Sequence, residues 1–149
     1  MTTTELKAKI EAAATLALAD YATAYGKEAP GTYIYAIRDI QNMSYNDPLP
    51  HIYCEELTVR KNLGTGVIEW PGIYFAFLDQ DKEDSSADEM ETIKDRMEKL
   101  FDFFHFHFLG NDDALPEDAV FDLAPISKVN QGRFSGYGGT VTIRYAIEC

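Results

Sequence analysis

The chain has 149 residues and a formal charge of −12, from 25 acidic and 13 basic residues. This length fits one domain, which buries roughly two thirds of the surface that its unfolded chain exposes. The negative charge repels phosphate backbones and argues against direct nucleic-acid binding. Charged residues interrupt the N-terminal segment, so we expect neither a signal peptide nor a membrane span. Cys54 and Cys149 lie far apart, without metal-ligand spacing, which indicates free thiols in a reducing compartment.

The first third of the chain predicts one helix followed by strands. Apolar residues at helical spacing predict a helix over 4–25, ended by Gly26. Alternating aromatic and β-branched side chains predict a strand over 32–37. The prolines and turn residues of 42–50 predict a loop. Residues 51–60 are predicted to form a second strand, whose two mixed faces suggest a sheet edge or a partner contact.

A hairpin and the centre of the sheet are predicted next. Residues 62–66 contain two glycines, as hairpin connections often require. A short strand over 67–70 is expected to stop at Pro71 and Gly72. The almost continuous apolar run 73–78 predicts a strand covered on both faces, at the centre of the sheet and under a second helix.

The second helix is predicted over 86–109 and provides the core. Ser86 followed by Glu89 is a capping-box signature, and Gly110 supplies a left-handed stop. Apolar residues recur every three or four positions, at Met90, Ile93, Met97, Leu100, Phe101, Phe104 and Phe108. Of these we expect nearly complete burial at Ile93, Met97, Leu100 and Phe104.

The last third predicts an acidic loop over 111–118 and a strand over 120–129, placed at an edge because Pro125 cannot donate to a ladder. A glycine-rich loop over 130–139 and a terminal strand over 140–147 follow. No repeat or linker divides the elements. We therefore predict a single α+β domain over residues 1–149, with a mostly antiparallel sheet and two main helices on one face.

Two groups of side chains raise the possibility of a metal site. His105 and His107 are close in sequence, but residues two apart point about 200° apart around a helix and cannot share an ion. Asp79, Asp81 and Glu83 match the first ligands of a calcium loop, whereas the later glycine and glutamate positions of that loop are not matched. We predict no metal and no cofactor.

Catalytic and nucleotide-binding patterns are equally weak. His51 and Cys54 are three residues apart in a predicted strand, so they face opposite sides and form a poor catalytic pair. The glycines between 132 and 139 match neither phosphate-binding pattern. We predict no catalytic residue.

Association with other proteins is favoured by rings outside the buried stripe. Phe103 and Phe106 lie off that stripe, Phe106 by about 160 to 200°, and exposed apolar surface usually marks an interface. The glycine-rich segment has too few side chains to fold on itself but could become ordered against a neighbour. The predicted partner-binding residues are Phe103, Phe106, Gly132, Arg133, Phe134, Gly136 and Tyr137.

The order of elements resembles that of tail-terminator, or tail-completion, proteins of long-tailed phages and prophages. The shared features are a leading helix, a meander ending in GIYFAFLDQD, a capped helix with an FF-rich end and a terminal GYGGTVTIRY strand. The resemblance implies a non-enzymatic structural protein that forms a ring, commonly sixfold, at the end of the tail tube near the neck. Its implied partners are its own copies and tail-tube or neck proteins. Its implied location is the cytoplasm of the bacterial host and then the virion tail.

Two other classes stay open. A small acidic binding module of the immunity type would use its charge to mask a basic partner. A small-molecule-binding enzyme would need a cavity with converging polar groups, for which the candidates are His51, Cys54, His105 and His107.

Overall fold

The computed structural model describes residues 1–35, 47–81, 86–109, 119–128 and 134–146. The elements in chain order are α1 (Thr3–Ala24), β1 (Thr32–Tyr35), β2 (His51–Cys54), β3 (Arg60–Asn62), β4 (Val67–Gln80), α2 (Ala87–Leu109), β5 (Asp122–Lys128) and β6 (Phe134–Ala146). They form one sheet in the order β1-β2-β4-β6-β5, with β3 paired to β4. β1 and β2 are parallel, and the other pairs are antiparallel. The predicted α+β fold with a mostly antiparallel sheet is confirmed.

Both helices contribute to the main core on one face of the sheet. Trp70, Phe75 and Phe77 of β4 share this core with buried residues of α1 and α2. On the other face, a smaller cluster contains Tyr53, Ala76, Leu78 and Phe134. β4 therefore has buried side chains on both faces, as its apolar run predicts, because the helix-side core covers one face and the smaller cluster lies on the other.

The buried stripe of α2 agrees with the prediction except at its start. Met97, Leu100, Phe104 and Phe108 are completely buried. Ile93 is only partly buried, and most residues in the first two turns of α2 are exposed.

The N-terminus of α2 is capped by one half of the predicted capping box. The Ser86 hydroxyl accepts a hydrogen bond from the Glu89 N–H at 3.2 Å. The Glu89 carboxylate accepts from the Ser86 hydroxyl at 3.3 Å, whereas a full capping box would place it on the Ser86 N–H.

The predicted strand over 51–60 is wrong beyond Cys54. After Glu55, whose N–H still donates to the Tyr74 carbonyl, the N–H of Leu57 donates to the hydroxyl of Tyr35 rather than to a strand. The chain rejoins the sheet only at β3. β2 lies between β1 and β4 and all its residues are buried, so the prediction of an edge or a partner contact there is also wrong.

Pro71 and Gly72 do not stop the strand, in contrast to the prediction. β4 continues through them with a register shift between Trp70 and Ile73. Gly72 adopts a positive φ of 56°, and its N–H donates to the Thr142 hydroxyl at 3.1 Å. A bulge accommodates Pro71, which cannot donate to the ladder, and the rest of the strand stays paired.

The glycine-rich segment was predicted to be a loop over 130–139, and this is wrong for 134–139, which belong to β6. A side chain at Gly136 would lie 1.9 Å from the Phe77 carbonyl oxygen, and one at Gly138 would lie 2.4 Å from the Tyr74 hydroxyl. The glycines at these two positions therefore allow close packing inside the sheet. The predictions for 36–37, 42–46, Gly110, 111–118, 129–133 and 147 lie outside the described residues.

Candidate functional site

The solvent-facing side of α2 carries a row of carboxylates. They occur at intervals of three, four, three and four residues, and all are exposed: Asp88, Glu91, Asp95, Glu98 and Asp102. Steps of three and four residues return to nearly the same angle, so these groups form one line over about four turns. We call these five residues the acidic stripe. The stripe was not predicted from the sequence, although its spacing is visible there.

Phe106 lies at the C-terminal end of the acidic stripe and is 63% exposed. Its ring contacts the ring of His107 edge to face, with centroids 5.3 Å apart. His107 Nε2 lies 2.5 Å from Asp20 Oδ2 and connects α2 to α1. Leu16 lies one turn before Asp20 on the same side of α1 and is 49% exposed. Two exposed apolar side chains therefore flank the polar contact between the helices.

The other rings at this end of α2 are better covered than predicted. Phe103 is partly buried, and Lys99 Nζ lies 5.3 Å above its ring. Phe101, Phe104 and Phe108 pack around Phe121, just before β5. Phe106 is thus the strongly exposed phenylalanine of this helix, and the predicted surplus of rings is largely absorbed by the core.

Of the other predicted partner-binding residues, Tyr137 of β6 lies beside the acidic stripe. Burial raises the pKa of Tyr137, and the nearby carboxylates of Glu98, Glu91 and Asp95 raise it further. Tyr137 packs partly buried against the helix-side core, close enough to these carboxylates for their charge to act on its phenol.

Phe134 and Gly136 are buried, and the Phe134 ring stacks on His51 with centroids 5.6 Å apart. Both residues lie in the interior of the protein, whereas Phe106 is exposed and Tyr137 is partly exposed. Gly132 and Arg133 lie outside the described residues.

A second charged surface lies on the hairpin between β3 and β4. Arg60 and Arg144 both contact the Glu69 carboxylate, at 3.6 and 2.6 Å. One carboxylate therefore faces two guanidinium groups, whereas the exposed Lys61 is opposite Ile68 in the register and lies on the helix-side face of the sheet. Leu63, at the hairpin tip, is 85% exposed. Arg144 could not be assigned to this surface from the sequence, because it arrives from β6 through the register of the sheet.

The two histidines of α2 point to different neighbours. The ring of His105 packs against Phe101 and Phe121, whereas His107 contacts Asp20 on α1. In the part of the chain that the structure describes, no group of three or more His, Cys, Asp or Glu side chains could hold a metal ion. Glu83, the third residue of the calcium-loop pattern, lies outside that part.

Cys54 and His51 belong to opposite faces of the sheet, as predicted from their spacing. Cys54 is part of the helix-side core, and burial raises the pKa of its thiol to about 12. His51 lies on the other face against Phe134. The thiol stays protonated at neutral pH and is a poor nucleophile, because the thiolate is the reactive form.

A buried polar pair lies where β4 ends and β6 begins. The Ser135 hydroxyl donates to Asp81 Oδ2 at 2.7 Å, and both side chains are buried. This contact joins the two central strands where both leave the sheet, and it keeps a carboxylate hydrogen-bonded in the interior.

No protein-family model and no curated protein matches the chain. Among the described residues, no helix combines the length and apolar character needed to cross a membrane.

Proposed function

We propose that this protein is a non-enzymatic structural protein of a phage or prophage tail, and that it assembles into a ring at the end of the tail tube near the neck. The observation that carries the assembly is the exposure of Phe106 on the side of α2 opposite the core. Apolar surface kept in water costs roughly 25 cal/mol per Å². Association with another chain would remove this cost.

The place in the tail is supported by the order of elements. A leading helix, three short strands followed by a long central strand, a capped core helix and a terminal strand follow one another along the chain. The glycine-rich segment gives less support than the sequence suggested, because residues 134–139 are inside the sheet. The proposed contact surface is therefore centred on Phe106 and the acidic stripe.

The experiment compares phage or prophage particles made with and without the gene, by electron microscopy of their tails. We expect tails of abnormal end structure or length without the protein, and binding of the purified protein to isolated tail tubes. Phe106→Ser should weaken association while leaving the urea midpoint nearly unchanged, because the ring is exposed. Normal tails without the gene, together with no binding to tubes, would contradict the proposal.

A small acidic binding module is the second candidate, and the acidic stripe is the observation that favours it. Five aligned carboxylates on one helix would complement a basic partner. The genes beside this one separate the two functions, since tail-tube or capsid genes favour the first and a basic toxin gene favours the second.

A further inference from the structure

We propose that a cleft on the β3–β4 hairpin binds a small carboxylic acid, with one carboxylate on a polar and otherwise uncharged body. The cleft has a volume of about 340 Å³. Its described lining consists of Arg60, Asn62, Thr65, Val67, Glu69 and Arg144. This binding site goes beyond the proposed tail function and does not depend on it.

The register of three strands places two arginines on either side of one carboxylate. Arg60 of β3 and Arg144 of β6 are both direct cross-strand partners of Glu69 in β4. The neighbours of Glu69 in the chain, Ile68 and Trp70, are in the helix-side core. Because side chains alternate along a strand, Glu69 and its two partners lie on the opposite face of the sheet. The three charged side chains therefore form one row across that face.

A second row on the same face supplies the uncharged part of the cleft. Val67, two residues before Glu69, pairs with Asn62. The side-chain oxygen of Asn62 accepts hydrogen bonds from the N–H groups of Gly64 and Thr65, at 3.0 and 3.1 Å. The oxygen is thus engaged by the turn, and the NH₂ group of the same amide is left for a ligand. Together with the Thr65 hydroxyl and the apolar Val67, it suits a small polar body such as an amide.

The charged row has one positive charge in excess. Arg144 Nε donates to Glu69 Oε2 at 2.6 Å, which leaves the two NH₂ groups of this guanidinium for another acceptor. Arg60 Nη1 is 3.6 Å from Glu69 Oε1, too far for a hydrogen bond. The Glu69 side chain is only 18% exposed, against 72% for Arg60 and 51% for Arg144. The internal carboxylate is therefore largely covered, whereas both guanidinium groups are open to a ligand.

The surplus charge and the shape of the guanidinium group favour a carboxylate as the ligand. Arginine binds a carboxylate through two parallel hydrogen bonds, because both groups are planar and forked. One carboxylate neutralises the single surplus charge of the cleft. A phosphate dianion would instead add negative charge to a chain that already carries −12.

The site is tested by NMR titration of the ¹⁵N-labelled full chain at neutral pH. The probe is N-acetylglycine, which has one carboxylate and one amide. Its neutral counterpart N-acetylglycinamide is the ligand control, and inorganic phosphate represents the competing class of anion. The signals followed are the Arg144 Nε–H and the backbone amides of Thr65, Gly66 and Val67. We expect saturable shifts of these signals at millimolar N-acetylglycine and none with N-acetylglycinamide.

Two substitutions in the charged row should act in opposite directions. Arg144→Gln removes one guanidinium group, so N-acetylglycine should bind at least about tenfold more weakly, as expected for a lost hydrogen bond to a charged group. Glu69→Gln keeps an acceptor for Arg144 Nε but removes the internal negative charge. Binding should then be about fivefold tighter, the effect of one like charge about 4 Å away in water.

Lys61→Gln is the matched control for the loss of a positive charge. Lys61 follows Arg60 in β3 but is opposite Ile68 in the register, on the helix-side face of the sheet. Its removal should change the affinity by less than about twofold at about 0.15 M salt, where exposed charges interact only over about 8 Å. Urea unfolding checks that each variant folds. If Arg144→Gln does not fold, the more exposed Arg60→Gln replaces it.

Several results would overturn the carboxylate site. They are an absence of saturable shifts, equal shifts with N-acetylglycinamide, an unchanged affinity in Arg144→Gln, and weaker binding in Glu69→Gln. Tighter binding of phosphate than of N-acetylglycine would overturn the assignment of the ligand. The proposed tail function is judged separately in each case, from the particles that lack the gene.

Discussion

His107 Nε2 of α2 and Asp20 Oδ2 of α1 are 2.5 Å apart, although 87 residues separate them in the chain. The imidazole is mostly covered, with its side chain 14% exposed, whereas the carboxylate is 47% exposed. The ring of Phe106 contacts this imidazole edge to face. The contact therefore joins the two helices directly beside the exposed phenylalanine.

A double-mutant cycle should detect this contact. We combine His107→Gln with Asp20→Asn and measure urea unfolding of all four proteins. The expected coupling is about 0.5 to 1 kcal/mol. This is near the top of the range for surface pairs, because the imidazole is mostly covered although the carboxylate is partly exposed. A coupling of zero within error would show that the two side chains do not stabilise the helix crossing.

Leu100 should be essential to the core. Leu100→Ala is expected to reduce the free energy of unfolding by about 2 to 5 kcal/mol, because the side chain is completely buried and its removal leaves a cavity. Leu16→Ala is the matched control, since Leu16 is 49% exposed, and a change within about 0.5 kcal/mol is expected there. Equal losses for the two variants in urea titrations would contradict the assigned core.

The glycines of β6 should not tolerate a side chain. In Gly136→Ala the new methyl group would meet the backbone oxygen of Phe77, so we expect a loss of at least about 3 kcal/mol, at the upper end of overpacking costs. Gly64→Ala is the control, because its nearest neighbour would be the Asn62 side chain at 3.3 Å. Thermal unfolding of both variants is the measurement. An unchanged midpoint for Gly136→Ala would mean that this segment is a loose loop after all.

The histidine of β2 should make stability depend on pH. Burial lowers the pKa of His51 from its ordinary value of 6.5, against smaller opposing effects of Asp47 and Asp79. The unfolded chain therefore binds a proton at a higher pH than the folded chain does. The contribution of His51 to stability is therefore present above pH 6.5 and is lost as the pH falls toward the lowered pKa of the folded state.

The matched variant is His51→Gln, which keeps a donor near the Asp47 carbonyl oxygen, 3.5 Å from Nε2. The free energy of unfolding of the wild type should fall relative to that of the variant as the pH is lowered from about 7 to 5. Asp79 has the opposite effect, because burial raises its pKa, but it is present in both proteins and largely cancels in the difference. Parallel pH curves would rule out a buried neutral His51.

The sequence predicted the parts of the fold that local patterns determine. The stripe containing Leu100 has a helical period, and Ser86 marks the start of its helix, so both could be placed without tertiary information. The strand at 134–139 could not, because glycine is common both in loops and where backbones approach closely. Whether these glycines lie in a loop or in a strand depends on Phe77 and Tyr74, which are about 60 residues earlier in the chain.

The residues of the candidate site could also be predicted only in part. The exposure of Phe106 follows from its angle on the helix. The coverage of Phe103 depends on a lysine one turn away, and the burial of Phe134 depends on its pairing with β4 and its stacking on His51. Arg144 joins the hairpin surface only through its contact with Glu69, 75 residues earlier.

The position of β6 in the sheet sets the order in which the protein can be completed during synthesis. β6 lies between β4 and β5, so one edge of β4 is unpaired until nearly all of the described chain has been synthesised. The hydrogen bond from the Trp70 indole to the Thr3 hydroxyl likewise joins residues 67 positions apart. Contacts this distant slow folding, and open strand edges invite aggregation. The central pairing of the sheet therefore forms late, and the edge of β4 stays open until β6 has been made.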